Sequence, residues 1–520
     1  MSTNTLFVEK LGKQVQIIFD TKSLRIQSDA TVIVPQQKKS KKSRSCVCLP
    51  TLEANDDLSS SASSSLPIPH RNILHANYNA RTNMVQLNVL VADKPSDPES
   101  TTQLFKFMYT VKDNEQEKAT AFCHNIMTSV YQGELYVNCS DSAHLTKVFS
   151  DLIPEKRLLI LINPFGGQSK AKSIFEEKVK PVLEAAKCKL DVQYTEHRYH
   201  ALEIAKGLDI ESCDTIVTVS GDGLIHEVIN GFLQRPDARE ALQKVSLGLI
   251  PAGTSNSLSI SMSGEKLGFD ATHNALQIIK GRPLALDLCS ITYEDNRYFS
   301  FLSQSFGIAA YADLGTEHMR WMGDNRTVVG LMQEIFSKST YQMEASLLIA
   351  ESDKEKIKQN YKSGLKASEW KSPAVGDGTV QDTIPPLSEP VPENWTTING
   401  DISIFLASNV PLLNRGMLSH PCVSANDGFI DLMLVRGGKG IGKQLSMFTS
   451  VDTGKHLDMD MVEYYKVKAF RLKPIVKPGK NAYVAIDGEH ASTKQFQVEV
   501  HQALGSVLSL NPTFINTNVQ

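Results

Sequence analysis

Apolar and polar residues alternate along much of the first third of the chain, the pattern of strands with one buried face. Val15, Ile17 and Phe19, then Val32 and Val34, then Met84 to Val91 and Leu104 to Val111 all follow it. From Asn114 to Tyr131 the spacing changes to threes and fours, and Ala119, Phe122, Ile126 and Val130 predict one amphipathic helix. The strands are interrupted by the basic run Lys38 to Arg44 and the serine tract Ser59 to Ser65. Such composition buries too little apolar surface to offset ordering entropy, which predicts a disordered insert over 36–68 within a β-rich module spanning 1–145.

A second rhythm, strand then glycine-rich loop then helix, occupies 152–284. Leu158 to Ile162 is continuously apolar, as in a strand covered on both faces. A helix over Ser173 to Ala186 is expected to kink at Pro181. Strands at Leu190 to Tyr194, Thr215 to Val219 and Val245 to Ile250 alternate with helices at His200 to Leu208 and Leu224 to Leu233, predicting an open α/β nucleotide-binding domain. Over 285–520 the period falls back to two, as at Ile402 to Leu406 and Phe496 to Val500. An antiparallel β-sandwich lipid-binding domain is expected there, with one helix at Thr327 to Ser337 and a proline-rich surface loop over 351–399.

The composition is that of a globular protein, and 54 Lys plus Arg against 57 Asp plus Glu leave no global attraction for nucleic acid. The eight cysteines lack the pairwise spacing of a structural zinc site and are too sparse for a disulfide framework. No apolar run approaches the ~18 to 20 residues that span a bilayer. A cytoplasmic protein is expected.

Three turns follow strands of the α/β domain: Asn163-Pro164-Phe165-Gly166-Gly167, Ser220-Gly221-Asp222-Gly223, and Pro251-Ala252-Gly253-Thr254-Ser255-Asn256. Glycines let backbone N–H groups approach phosphate oxygens, and helix amino termini favour anions. Neither a Walker A pattern nor G-x-G-x-x-G occurs. In order and spacing the turns, with Ser220 to Gly231 between them, resemble the diacylglycerol kinase catalytic domain over about 156–295. To about 510 the chain is similar to the sphingosine kinases (sphingoid long-chain base kinases), of fungal type, through Gly307 to Asp313, Arg320, Gly323, Arg326 and Asp487-Gly488-Glu489. The N-terminal strands closed by one helix resemble a pleckstrin-homology module in topology.

The resemblance implies an ATP- and Mg2+-dependent lipid kinase that phosphorylates the primary hydroxyl of a sphingoid base. Asp222 would be the catalytic general base, with Ser220, Gly221, Gly223 and Asp313 on the substrate side. Asn163, Pro164, Phe165, Thr195, Gly223, Glu227, Gly253, Thr254, Ser255, Gly488 and Glu489 would hold nucleotide. Arg320 and Arg326 would reach its phosphates, and Asp487 would approach the nucleotide-bound magnesium as a metal ligand. Ser255 replaces a glycine common in the family and would be strained if φ there is positive. The apolar residues Val328, Leu331, Met332, Ile335 and Phe336, with the loop Pro411 to Met417, could gate an alkyl chain or simply pack a core.

Five cations among residues 38–44, with Cys46 and Cys48 beside them as acylation sites, fit peripheral attachment to anionic membranes; a solvated loop is the alternative. The competing functions are a diacylglycerol or ceramide kinase and a catalytically silent membrane-binding scaffold.

Overall fold

The computed structural model describes residues 4–28, 67–132, 155–322, 325–367, 369–374, 376–476 and 481–519. The chain forms two compact units, 1–98 with 102–154 and 99–101 with 155–520.

The first unit contains β1 (Asn4–Lys10), β2 (Lys13–Phe19), β3 (Ser23–Ser28), β4 (Ile68–Pro69), β5 (Ile73–Asn79), β6 (Met84–Ala92) and β7 (Thr102–Val111) in one antiparallel sheet of order β4-β3-β2-β1-β7-β6-β5. The alternation in β2 buries Val15, Ile17 and Phe19 as the pattern requires. The Gln116–Gln132 helix buries Ala119, Phe122 and Ile126 in the same core. The last residue of the expected insert, Ile68, is a buried strand residue instead. Lys38 to Arg44, Cys46, Cys48, Ser59 to Ser65, Val32 and Val34 lie outside the described residues.

In the second unit β8 (Arg157–Ile162), β9 (Lys189–Tyr194), β10 (Thr215–Ser220) and β11 (Ser246–Pro251) pair in parallel in the order β11-β10-β8-β9. β10 and β11 are buried along their whole length, and so is β8 from Leu158 to Ile162, the unbroken apolar run. The helix after β8 widens into a π-turn at Phe175–Val179 and restarts at Lys180–Ala185, where Pro181 has no N–H to give the preceding turn.

The remaining strands are β12 (Arg282–Thr292), β13 (Arg297–Ser300), β14 (Ser303–Gly307), β15 (Tyr341–Glu351), β16 (Thr396–Ser408), β17 (Leu412–Asn414), β18 (Met417–Leu418), β19 (Ile430–Arg436), β20 (Val462–Ile475), β21 (Val484–Ile486), β22 (Glu489–Ala491) and β23 (Phe496–Ser509). No separation of units falls at 284/285, because β23 belongs to both halves. It pairs antiparallel with β12 and β20, then runs parallel to β11 at Leu247 and Val507. At the irregularity in the β12–β23 ladder the buried Asp287 carboxylate accepts the Ala503 and Gly428 N–H groups at 2.7 and 2.6 Å.

The expected surface loop over 351–399 is also corrected. Asp353 caps a helix at Lys354–Lys366, accepting the Glu355 and Lys356 N–H groups, and Ile357 and Tyr361 are buried. Beyond it Arg471, 3% exposed, donates to the carbonyls of Pro385, Pro386 and Glu389. Glu499 accepts the Thr383 and Ile384 N–H groups, and Asp382 pairs with Arg297. The proline-rich stretch is therefore strapped to the sheet. Asp382, Glu499 and His501 come within 4.8 Å of one another, but these donors already occupy the two carboxylates. A further helix forms at Ile441–Phe448, so Asn325–Phe336 is not the sole helix of this region. Among the described residues no helix is long and apolar enough to cross a membrane.

Candidate active site

The three glycine-rich turns lie side by side at the carboxyl ends of β8, β10 and β11. Asn163 folds the first back on itself, its side chain accepting the Phe165 N–H at 3.0 Å and its carbonyl the Gly166 N–H. The second and third touch: a Cβ on Gly253 would stand 2.5 Å from the Gly221 Cα, so only glycine allows that approach. Asn256 closes the third turn by donating to the Gly253 carbonyl at 3.0 Å. Ser255 is not among the residues with positive φ, so its side chain is accommodated without the expected strain.

Asp222 opens the Asp222–Leu233 helix and simultaneously serves a later one. Its carboxylate accepts the Ser257 and Leu258 N–H groups at 2.7 and 3.4 Å, first-turn donors of the Ser257–Leu267 helix. Burial pushes its pKa up to about 6, and the charge of Asp487 adds to that, although the N–H groups pull the other way.

Two clefts meet at these turns. One of about 890 Å³ is bordered by Asn163, Phe165, Thr195, Ser220, Glu227 and Glu489, which brings predicted nucleotide residues to one wall. One of about 610 Å³ is bordered by Gly221, Asp222, Gly253, Thr254, Ser255 and Asp313. Gly223 borders both. Pro164 is not among the residues lining either cleft; it sits between Asn163 and Phe165 in the first turn.

Asp487 and Gly488, with φ of +51° and +79°, make the two-residue turn between β21 and β22. Asp487 is nonetheless more than a turn residue. Its side chain is 1% exposed and accepts from Ser300 Oγ at 2.5 Å, from the N–H groups of Phe301, Leu302 and Ser303, and from His226 Nδ1 at 2.8 Å. A carboxylate has about four lone-pair sites. Five protein donors leave none for a cation, so Asp487 is not a direct metal ligand here; it anchors the turn at 300–303 and holds His226. Asp487 and Gly488 border the smaller cleft and Glu489 the larger. Glu489 pairs with Arg198 at 3.0 Å, and Glu227 accepts the Ala201 N–H at 3.2 Å at the start of the His200–Gly207 helix. Burial raises the Glu227 pKa. Thr195 is buried with its hydroxyl 3.5 Å from the Ile162 carbonyl.

Asp313, half-exposed, faces Arg326 at 3.5 Å. Arg326 also donates to the Asp313 carbonyl at 2.7 Å and to Thr316 Oγ1 at 3.3 Å. Both border the smaller cleft, as do Gly253, Thr254 and Ser255 of the third turn. Gly323 and the side chain of Arg320 lie outside the described residues. The apolar stripe of the Asn325–Phe336 helix splits. Leu331 borders a small apolar pocket with Ile404, Leu406, Met417, Met433 and Met447, and Ile335 is core. Val328 and Phe336 are 53% and 61% exposed.

Reasoning from sequence missed His226, Arg198 and Tyr298, all on the larger cleft. His226 alone carried a signal, since it lies within the same run as Asp222 and Glu227.

The Diacylglycerol kinase catalytic domain matches residues 157–291, and a Domain of unknown function (DUF7493) matches 14–132. The chain is 36% identical over 354 residues to "Sphingoid long chain base kinase 4" of Schizosaccharomyces pombe, covering 68% of this chain and 75% of that protein. It is 33% identical over 359 residues to human "Sphingosine kinase 1", covering 66% and 88%. A solved diacylglycerol kinase from Bacillus anthracis str. Sterne overlays with a TM-score of 0.45 at 15% identity, covering 68% of this chain and 97% of that one. The identity and coverage of the first of these relatives place the chain in a family: it belongs to the sphingoid long-chain base kinases, the sphingosine kinases, built on a diacylglycerol kinase catalytic domain.

Proposed function

We propose that this chain transfers the γ-phosphate of ATP to the primary hydroxyl of a sphingoid base, giving the 1-phosphate. The observation that carries the reading is the junction of two clefts at Gly223, with Asp222 and Asp313 both on the smaller one. Nucleotide fits the larger cleft, its terminal phosphate pointing past Gly223. The lipid headgroup fits the smaller, and the apolar pocket of about 30 Å³ among Leu331, Leu406, Met417 and Met433 would have to widen to take its alkyl chain.

Asp222, with its pKa near 6, is ionised at neutral pH and basic enough to accept the hydroxyl proton. As the proton moves, the lipid oxygen bonds to the γ-phosphorus and the bond to the bridging oxygen of ADP breaks, its electron pair leaving with ADP. Asp313 offers a carboxylate to the ammonium beside that hydroxyl, and Arg326 fixes the turn presenting it. Magnesium arriving on the phosphates would offset their charge, and most of its ligands would be phosphate and water. Glu227 and Glu489, both on the wall of the larger cleft, are carboxylates that would hold it.

The seven antiparallel strands and closing helix of the first unit support a pleckstrin-homology-like reading. The apolar pocket supports reading the β-rich segment from 285 as a lipid-holding sandwich. Peripheral membrane attachment from the cytoplasm, through the basic run and acylation at Cys46 and Cys48, completes the proposal. Purified protein incubated with ATP and sphingosine should yield sphingosine 1-phosphate, and absence of product with folded protein would overturn the reading. Cys46→Ser with Cys48→Ser should move protein from membrane to soluble fractions, and an unchanged membrane fraction would remove that part alone.

A further inference from the structure

We propose that the Tyr199 ring is the platform on which the base of the nucleotide stacks; this rests on the larger cleft being the nucleotide site. Strand order lays out the floor of that cleft. At the carboxyl ends the third, second and first glycine-rich turns follow β11, β10 and β8, and the segment 195–199 follows β9, the outermost strand. The smaller cleft lies at the second and third turns. A nucleotide whose terminal phosphate reaches Gly223 therefore runs outward, its phosphates along the second and first turns and its base over the segment after β9. That segment contains Tyr199, which borders the larger cleft and is 48% exposed.

The ring is held in place before any ligand arrives. Tyr199 sits at φ +67° and ψ 9°, left-handed backbone that a bulky side chain rarely adopts and that is found where function requires it. The following helix fixes this conformation: the Tyr199 carbonyl accepts the Glu203 N–H at 3.1 Å, and Glu227 accepts the Ala201 N–H at 3.2 Å. The Arg198 guanidinium lies 4.8 Å from the ring centre and is itself tied to Glu489 at 3.0 Å. That cation backs one face of the ring and leaves the opposite face for a ligand. The other rings of the cleft are already engaged or lie elsewhere. Tyr293 is 6% exposed and stacks with Tyr298 at 6.4 Å, while Tyr298 meets the His226 ring edge-on. His197 stacks with His200 at 4.7 Å, and His490 meets Tyr483 edge-on. Phe165, although exposed, belongs to the first turn, on the phosphate side.

The test is binding of ATP and of inorganic tripolyphosphate, each with magnesium, to the full chain without lipid, by titration calorimetry. Tyr199→Asn removes the ring but keeps a residue that tolerates left-handed backbone. It should weaken ATP binding roughly tenfold, about 1.4 kcal/mol, with an unchanged melting temperature. Tripolyphosphate has no base to stack, so the variant should bind it as wild type does. Tyr199→Phe, which keeps the ring, should recover most of the ATP affinity. Equal ATP affinities of wild type and Tyr199→Asn, or equal losses for ATP and tripolyphosphate, would overturn the inference. Should tripolyphosphate bind too weakly to measure, or Tyr199→Asn fold poorly, equal ATP affinities of Tyr199→Phe and Tyr199→Gly would overturn it equally. Wild type that binds no ATP would instead defeat the reading of the cleft.

Discussion

Replacing Asp222 by Asn should silence the enzyme while leaving the fold as stable as before or more so, a combination that damage to a core does not produce. The carboxylate accepts the Ser257 N–H at 2.7 Å and the Leu258 N–H at 3.4 Å. An amide retains one acceptor oxygen, so the loss is the weaker bond, about 0.5–1.5 kcal/mol. Against it stands the cost of ionising a buried acid whose pKa is about 6 in place of 3.8. Two units at about 1.4 kcal/mol each give about 3 kcal/mol, reduced to about 1–2 because the side chain is partly exposed. The folded state holds this proton more tightly than the unfolded chain, so wild type loses stability as pH rises from about 4 to about 6 and the variant does not. The variant should therefore match or exceed wild type above about pH 6 and forfeit any advantage below about pH 4. Its turnover should fall by about 10^2 to 10^4, the range for a lost general base, while wild-type kcat/KM should rise with pH through about 6. Denaturant melts at several pH values and initial rates of sphingosine phosphorylation measure both. A folded variant within tenfold of wild type, or a wild-type rate flat between about pH 5 and 8, would refute the role.

Gly253→Ala should force the touching turns apart, since its Cβ would meet Gly221 backbone at 2.5 and 2.9 Å. A stability loss of about 1–3 kcal/mol and a rate loss of about 10^2 are expected from kinetics and melts, whereas Gly207→Ala, with nothing near its Cβ, should be neutral. Arg471→Ala would strand the carbonyls of Pro385, Pro386 and Glu389, loosening the strap by about 2–4 kcal/mol. Limited proteolysis should then cut within residues 369–395 before the rest of the chain, and an unchanged cleavage pattern would show that other contacts hold it.

Much of the α/β half was legible because its signals are local. An apolar run marks β8, and glycines mark turns whose close approach demands them. The kink at Pro181 follows from one missing N–H. What could not be read depends on contacts remote in sequence. Nothing in the period of Phe496 to Ser509 reveals that one strand joins antiparallel and parallel neighbours. The helix at Lys354–Lys366 was hidden by its charge, since it buries few apolar side chains, and its Asp353 cap was overlooked beside the following prolines. Asp487 looked like a metal ligand because an Asp-Gly turn beside a kinase cleft invites that role. Its five donors come from residues 300–303 and His226, which no spacing rule connects to it.

The central claim concerns an ammonium in the smaller cleft, and the ratio of sphingosine to ceramide phosphorylation tests it most directly. The two lipids share the primary hydroxyl, but only sphingosine carries the cation that Asp313 would meet. Two unit charges about 4 Å apart at an effective dielectric constant of about 20 attract by about 4 kcal/mol. Asp313 is 40% exposed and already faces Arg326, which lowers the expected effect to about 1–3 kcal/mol, or about 5- to 150-fold. Wild-type enzyme should strongly prefer sphingosine, and Asp313→Asn should lose that much kcat/KM on sphingosine with little change on ceramide and unaltered ATP binding. A wild type that prefers ceramide or diacylglycerol, or an Asp313→Asn enzyme that keeps the full sphingosine preference, would contradict the account.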